Sequence, residues 1–388
     1  MDCQSDGHDG IVKDIRHNIP VRVVRLFMSQ YDTLKAQIAS EFGTPVAVID
    51  LDIVDANIAR LQTRCDAAGI ANRPHIKTHK SPVLARQQIN AGAKGITCQK
   101  LGEAEIMVEA GIDDIIIATN LLGAARSGRL AALQRQTGLK CCADNQVTLG
   151  AYAEAAAQAE RPLQVLIECD TGQKRAGVET VEEMLLLARQ IKDNHWLEFA
   201  GLLFYPPLDG WPATQKFYQN AKAGLAEMGL EAGIVSTGGT PNLRNLGRLE
   251  GATEHRSGTS IFNDRMMLAD GIASPDDCAF HIYTSVVSKA TPLRGILDAG
   301  SKTFTSDIGG LKGFGLIEEY PEIQIHKLSE EHGFLDVSAS KNTPEIGEIV
   351  RVLPNHVCVS VNMFDRLITV RDGKIAGELD VSARGRLV

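Results

Sequence analysis

Between residues 74 and 259 short apolar runs alternate with amphipathic stretches, and no other feature restricts the possible folds so strongly. Candidate strands lie at 74–77, 95–99, 114–118, 140–144, 164–170, 201–205, 233–239 and 252–259. Most are continuous apolar runs, as in parallel strands covered on both faces. The stretches 101–110, 146–157 and 181–192 between them carry apolar residues three and four apart, which is helix spacing. Eight such units predict a closed (β/α)8 barrel of the TIM type, with an open doubly wound sheet as the alternative.

From about residue 280 the texture changes. HIYTSVVSKA, RGILDAG, PEIQIHKL, GFLDVS, EIVRVLP, HVCVSVN, RLITVRDGKI and AGELDVS are short, β-rich and separated by turn residues. Asp372-Gly373 is a hairpin signal. A C-terminal all-β domain is therefore expected at 279–388, after a barrel at 45–278 and an unplaced N-terminal segment at 1–44. TPVAVIDLD, at 44–52, also reads as a strand, of either the barrel or the β domain.

The net charge of −8 argues against nucleic acid or an anionic membrane as partner, while leaving room for a local basic pocket. No run of about 18 apolar residues is present to span a membrane. The N-terminus lacks the apolar core of a secretory signal. Eight cysteines at scattered spacings read as buried thiols of a cytoplasmic protein, with Cys358 set apart by its neighbours.

Barrel enzymes carry their chemistry at the C-terminal ends of the strands. Lys77, in RPHIKTHK, ends the first expected strand, where partial desolvation frees an amine for imine formation. Taken alone, it also fits a surface lysine opening a loop. His79 nearby is a weaker candidate for contact with substrate. Thr237, Gly238, Gly239 and Thr240 in STGGTP follow the seventh strand, and Arg256, Gly258 and Thr259 in HRSGTS end the eighth. Phosphate sites of barrels gather there, and glycines admit close backbone approach to an anion. A plain βα turn gives a similar composition. Arg175, on the DTGQKRAGV loop, offers a planar fork to a carboxylate or a cofactor ring, and Tyr205 in FYPP a phenol. His356 and Cys358, two apart in PNHVC, fall on one face if the stretch is a strand, and their donors suit Zn²⁺. A buried cysteine beside a satisfied histidine is the competing reading.

Together these motifs resemble the fold-type III pyridoxal-phosphate enzymes related to alanine racemase. Within them the chain is similar to the branch of D-threonine aldolase, 3-hydroxyaspartate aldolase and dehydratase, and D-serine dehydratase. TPVAVIDLD, RPHIKTHK, QKLGEAE, DTGQKRAGV, STGGTPN, HRSGTSIFNDRM and PNHVC carry the likeness, over residues 44–358. The resemblance implies pyridoxal 5'-phosphate held as a Schiff base on Lys77, which also serves as a base. It implies a phosphate loop at Gly238, Gly239 and Thr240, with Arg175 and Tyr205 near the cofactor. It further implies a divalent metal (Zn, or Mn/Mg) on His356 and Cys358 that meets the substrate's β-hydroxyl.

The activity so implied is a lyase acting on D-β-hydroxy-α-amino acids, working as a homodimer. Cys358 leans toward dehydration and zinc, whereas YPP, STGGTPN and FNDRM look like D-threonine aldolase. Racemization needs a second opposed base, and no match to the racemase tyrosine is evident. A non-catalytic cofactor carrier would not need the β domain with its His356 and Cys358.

Overall fold

The computed structural model describes residues 21–388, with side chains from Asp32 onward. Eight parallel strands form one sheet: Ala71–Asn72, Ile96–Cys98, Ile115–Ile117, Lys140–Ala143, Leu163–Cys169, Leu197–Phe204, Ile234–Gly238 and Glu254–Arg256. The first pairs with the last through Ala71↔Glu254. Closure comes from the segment just beyond the first strand. There the Ile76 N–H donates to Thr97 O at 2.9 Å and the Thr97 N–H to Pro74 O at 2.8 Å. The sheet is thus a closed (β/α)8 barrel, not the open doubly wound alternative.

The strand expected at 74–77 is displaced. It is Ala71–Asn72 followed by a single parallel bridge from His75 to Thr97, and residues 76–79 turn. Pro74 has no N–H to add to a ladder, which shortens the strand. Elsewhere in the barrel local chemistry and observed elements agree. In Val181–Lys192, Thr180 and Glu183 form a reciprocal capping box, and Met184, Leu187, Ala188 and Ile191 bury one face.

The second sheet is mostly antiparallel. Phe280–Thr291 pairs with Arg294–Leu297, with Ile349–Leu353 and with Val46–Asp50, so TPVAVIDLD contributes its strand to the β domain before the chain enters the barrel. The turn at Asp372-Gly373 joins Arg366–Arg371 to Lys374–Asp380; φ of 50° and 69° at these residues fits the turn's left-handed requirement. Val21–Phe42 is a helix whose Leu34 and Ile38 pack on Val48, Tyr283, Ile368 and Val370. Residues 1–20, with Cys3 and the reading of the N-terminus as lacking a signal, lie outside the described residues. Among the described residues no helix is long and apolar enough to cross a membrane.

One expected strand is a helix instead. The HVCVSVN stretch forms Val357–Val361, with His356 as its N-cap residue. The two domains share a core in which Val54, Ile58, Leu84 and Phe262 pack with Phe280, Ile282, Val352 and Val357. That common core sets the short helix at the mouth of the barrel.

Candidate active site

A cavity of about 250 Å³ opens at the C-terminal ends of the barrel strands. Lys77, His75, Gln99, Glu168, Arg175, Tyr205, Gly238, Gly239, Thr240, Arg256, Gly258, Thr259, His356 and Cys358 all line it. The turn that carries Lys77 is fastened from beneath. Ile76 O accepts the N–H of His79 at 3.1 Å and of Lys80 at 2.7 Å. Buried Lys80 and Glu103 pair at 2.7 Å, and the other Glu103 oxygen accepts the amides of Gln99 and Lys100. RPHIKTHK and QKLGEAE are therefore two halves of one clasp. Removing one partner of such a buried pair costs about 3–5 kcal/mol.

Side chains of this turn divide between two sides. His75 and Lys77 face the cavity, and Thr78 Oγ1 lies 3.0 Å from Cys358 Sγ. His79 does not reach the cavity, against the expectation of substrate contact. It is fully buried, with Nε2 3.2 Å from Gln88 Oε1 and Nδ1 accepting the Ser81 N–H at 3.1 Å. Burial, against those hydrogen bonds, lowers its pKa to about 4.

The glycines form a surface that side chains would fill. A Cβ at Gly238 would lie 2.8 Å from Arg256 Nη2, and one at Gly239 2.9 Å from the Tyr205 ring. At Gly258 a Cβ would meet Thr78 Oγ1 at 2.8 Å. Thr240 adds its hydroxyl, 2.9 Å from Ser257 Oγ. Thr237 is the exception among the expected cofactor ligands. Strand alternation turns it away from the cavity, with its hydroxyl 2.9 Å from His255 Nδ1. Ser236 and Gly238 point inward. Ser236 Oγ donates to Glu254 at 2.8 Å and accepts from Arg256 Nη1 at 2.6 Å, and Glu254 is held in turn by Arg73 at 2.7 Å.

Arg175 sits at the mouth with its guanidinium 4.9 Å above the Tyr205 ring, a cation–π arrangement. Asp170 shapes this loop by accepting the amides of Gly172, Gln173 and Arg175. Glu168 lies below, 3.9 Å from Arg175. Burial raises its pKa although Arg256 and Arg175 act in the opposite sense. Sequence reasoning gave no role to Glu168 or Gln99, which stand at strand ends and signal themselves only by that position.

His356 and Cys358 meet in the cavity without a strand between them, one capping the short helix and the other in its first turn. Asp264 Oδ2 lies 3.0 Å from His356 Nδ1, as an acceptor for its N–H, and accepts the Val357 N–H at 3.0 Å. That contact leaves Nε2 for an electrophile. Burial opposes charge on both groups, and each favours charge on the other. The thiolate and Asp264 raise His356 to about 10, while His356, Lys77 and Thr78 lower the Cys358 thiol. Asp264 was not singled out from sequence, though FNDRM contains it. Among the described residues no group of three or more His, Cys, Asp and Glu side chains is placed to hold a metal.

Residues 49–265 match the alanine racemase N-terminal domain family, and residues 279–370 a serine dehydratase domain. The D-threonine aldolase of an Arthrobacter species is 35% identical over 356 residues, covering 88% of this chain and 93% of that one. The chain belongs to the fold-type III pyridoxal-phosphate lyases. A second relative of this lyase is the D-threo-3-hydroxyaspartate dehydratase of Delftia sp. HT23, 33% identical over 83% of this chain and 92% of its own. The crystal structure of D-threonine aldolase from Filomicrobium marinum superposes with a TM-score of 0.82 at 27% identity, covering 89% and 96% of the two chains. D-threo-3-hydroxyaspartate dehydratase structures that also match include a histidine-to-alanine mutant, and a cysteine-to-alanine mutant in a metal-free form.

The lyase's own residues fit the family's cofactor. Lys77 faces the cavity, the Gly238–Gly239 and Gly258 surfaces leave room that a Cβ would fill, and Tyr205 and Arg256 close the sides. The imidazole and thiol donors of His356 and Cys358 fit a divalent metal ion whose remaining positions are open to water or substrate.

Proposed function

We propose that this lyase uses pyridoxal phosphate and a divalent metal, Zn²⁺ before Mn²⁺ or Mg²⁺, to cleave Cα–Cβ of D-β-hydroxy-α-amino acids, releasing glycine and an aldehyde. The observation that carries this reading is one cavity faced by both Lys77 and the His356–Cys358 pair. Bound there, pyridoxal phosphate supplies an electron sink at the α-carbon and the metal a Lewis acid at the β-oxygen. Lys77, on its clasped turn, presents an amine that can hold the cofactor and return a proton to the α-carbon. Gly238, Gly239, Thr240 and Thr259 receive the phosphate, and Arg256 and Tyr205 position the ring. Arg175 offers its fork to the substrate carboxylate. His356 and Cys358 hold the ion, with Asp264 fixing the imidazole. The β-hydroxyl gives up its proton to solvent and its oxygen becomes the aldehyde carbonyl; the Cα–Cβ electron pair passes to Cα, which takes a proton from the Lys77 ammonium, itself reprotonated by solvent.

Dehydration to a 2-oxo acid and ammonia is the second reading, supported by Cys358 and by the Delftia relative. The two differ in which bond at Cβ breaks. The FYPP, STGGTPN and FNDRM motifs and the Arthrobacter relative favour cleavage. We further propose a cytoplasmic homodimer. The seven described cysteines are free and six are buried, as suits a reducing compartment. The test is proton NMR of the cofactor- and metal-loaded protein with D-threonine. Glycine and acetaldehyde are expected; 2-oxobutanoate with ammonium would replace the cleavage reading by dehydration, and unchanged D-threonine would count against both.

A further inference from the structure

The helix Arg265–Ala269 follows directly on HRSGTSIFND and is bonded to the segment that ends at His356. The Arg265 N–H donates to Pro354 O and the Met266 N–H to Asn355 O, both at 3.2 Å. Met266 and Met267 line the same cavity as His356 and Cys358, on a helix bonded to the residues just before His356. A Cβ at Gly309 would collide with Met266 Sδ, so a loop of the β domain seats directly on that side chain.

No charge of this helix reaches the wall. The Asp264 carboxylate is engaged by the Met267 N–H, His356 Nδ1 and the Val357 N–H. Arg265 turns outward, its guanidinium donating to Lys312 O at 2.6 Å and Asn355 Oδ1 at 3.0 Å, and it is absent from the lining. The lysine and arginines that do line the cavity stand elsewhere: Lys77 on its turn, Arg175 above Tyr205, and Arg256 bonded to Ser236 Oγ and Phe204 O.

From this arrangement we infer that the Met266–Met267 wall receives the substituent on the substrate's β-carbon, and selects an uncharged apolar one (methyl, longer alkyl or aryl) over a carboxylate. The inference rests on the lyase reading above and names its substrate class. Thioethers on unbranched chains adapt to apolar groups of different shape. A carboxylate against the thioethers loses water and gains no donor from them, while His356 and the ion it would hold are taken by the β-oxygen; such mismatches are ones on which binding sites discriminate strongly.

The experiment uses the cofactor- and metal-loaded enzyme and two readouts. Calorimetric binding of D-norvaline and D-aspartate, which lack the β-hydroxyl, reports on the wall. Turnover of D-threonine, D-threo-phenylserine and D-threo-3-hydroxyaspartate reports on the reaction. Tighter binding of D-norvaline by about tenfold or more is expected, with kcat/KM falling in the same order. Met266→Arg should raise affinity for D-aspartate and lower it for D-norvaline, whereas Met266→Leu should keep the order of the parent. Equal or tighter binding of D-aspartate by the parent enzyme would overturn the inference, whatever the variants do. Failure to turn over any of the three substrates would instead strike the lyase reading, and the binding ratio would still decide the character of the wall.

Discussion

His79 and His356 show how strongly surroundings set the charge of one side-chain type. His79, buried between Gln88 and Ser81, is pushed down to about 4, whereas His356, beside Cys358 and Asp264, is pushed up to about 10 despite its burial. For His79 the consequence is acid sensitivity. An unfolded histidine gains its proton near pH 6.5, while folded His79 resists it down to about 4. Its contribution is complete above about pH 6.5 and is lost as pH falls through that window, by up to about 1.4 kcal/mol per pH unit. His255, lowered to about 3 by burial and by Arg256, adds in the same sense. His79→Gln should therefore flatten the fall of unfolding free energy between pH 7 and pH 5 in urea titrations. A curve parallel to the parent's would show that His79 does not carry this sensitivity.

At the scale of elements, Asp264 caps the helix Arg265–Ala269 through the Met267 N–H and also binds the first amide of Val357–Val361. Asp264→Asn keeps a cap acceptor but removes the charge facing His356. Metal content after dialysis should drop, with affinity lower by about 10–100-fold and the cofactor's visible band unchanged. Metal retention equal to the parent's would rule out this orienting role. The same elements show what could be read in advance. The barrel helices were legible from three- and four-residue spacing, and Val181–Lys192 has the expected bounds because its caps are local. Val357–Val361 was not. Its buried Val357 and Val361 are four apart, which satisfies strand and helix periods alike, and the carboxylate that meets its first amide comes from distant Asp264. Similarly, motif membership could not separate His79 from Lys77, or Thr237 from Gly238; only the direction each side chain takes from its turn or strand does so.

For the whole molecule, the shared core of barrel and β domain brings His356 and Cys358 to the cavity of their own chain. Mixing Lys77→Ala with His356→Ala protein should then restore no activity, even after subunits are allowed to exchange. Recovery toward a quarter of the parent's rate would mean that the pair serves a neighbouring barrel. The joint use of two centres in one cavity is tested most directly by chelation. The loaded enzyme is dialysed against a chelator, and its visible cofactor band and its turnover of D-threonine are followed together. The expected result is a retained band with turnover lost, then recovered on adding Zn²⁺ or Mn²⁺. Undiminished turnover in the metal-free enzyme would contradict a role for the His356–Cys358 site in the reaction.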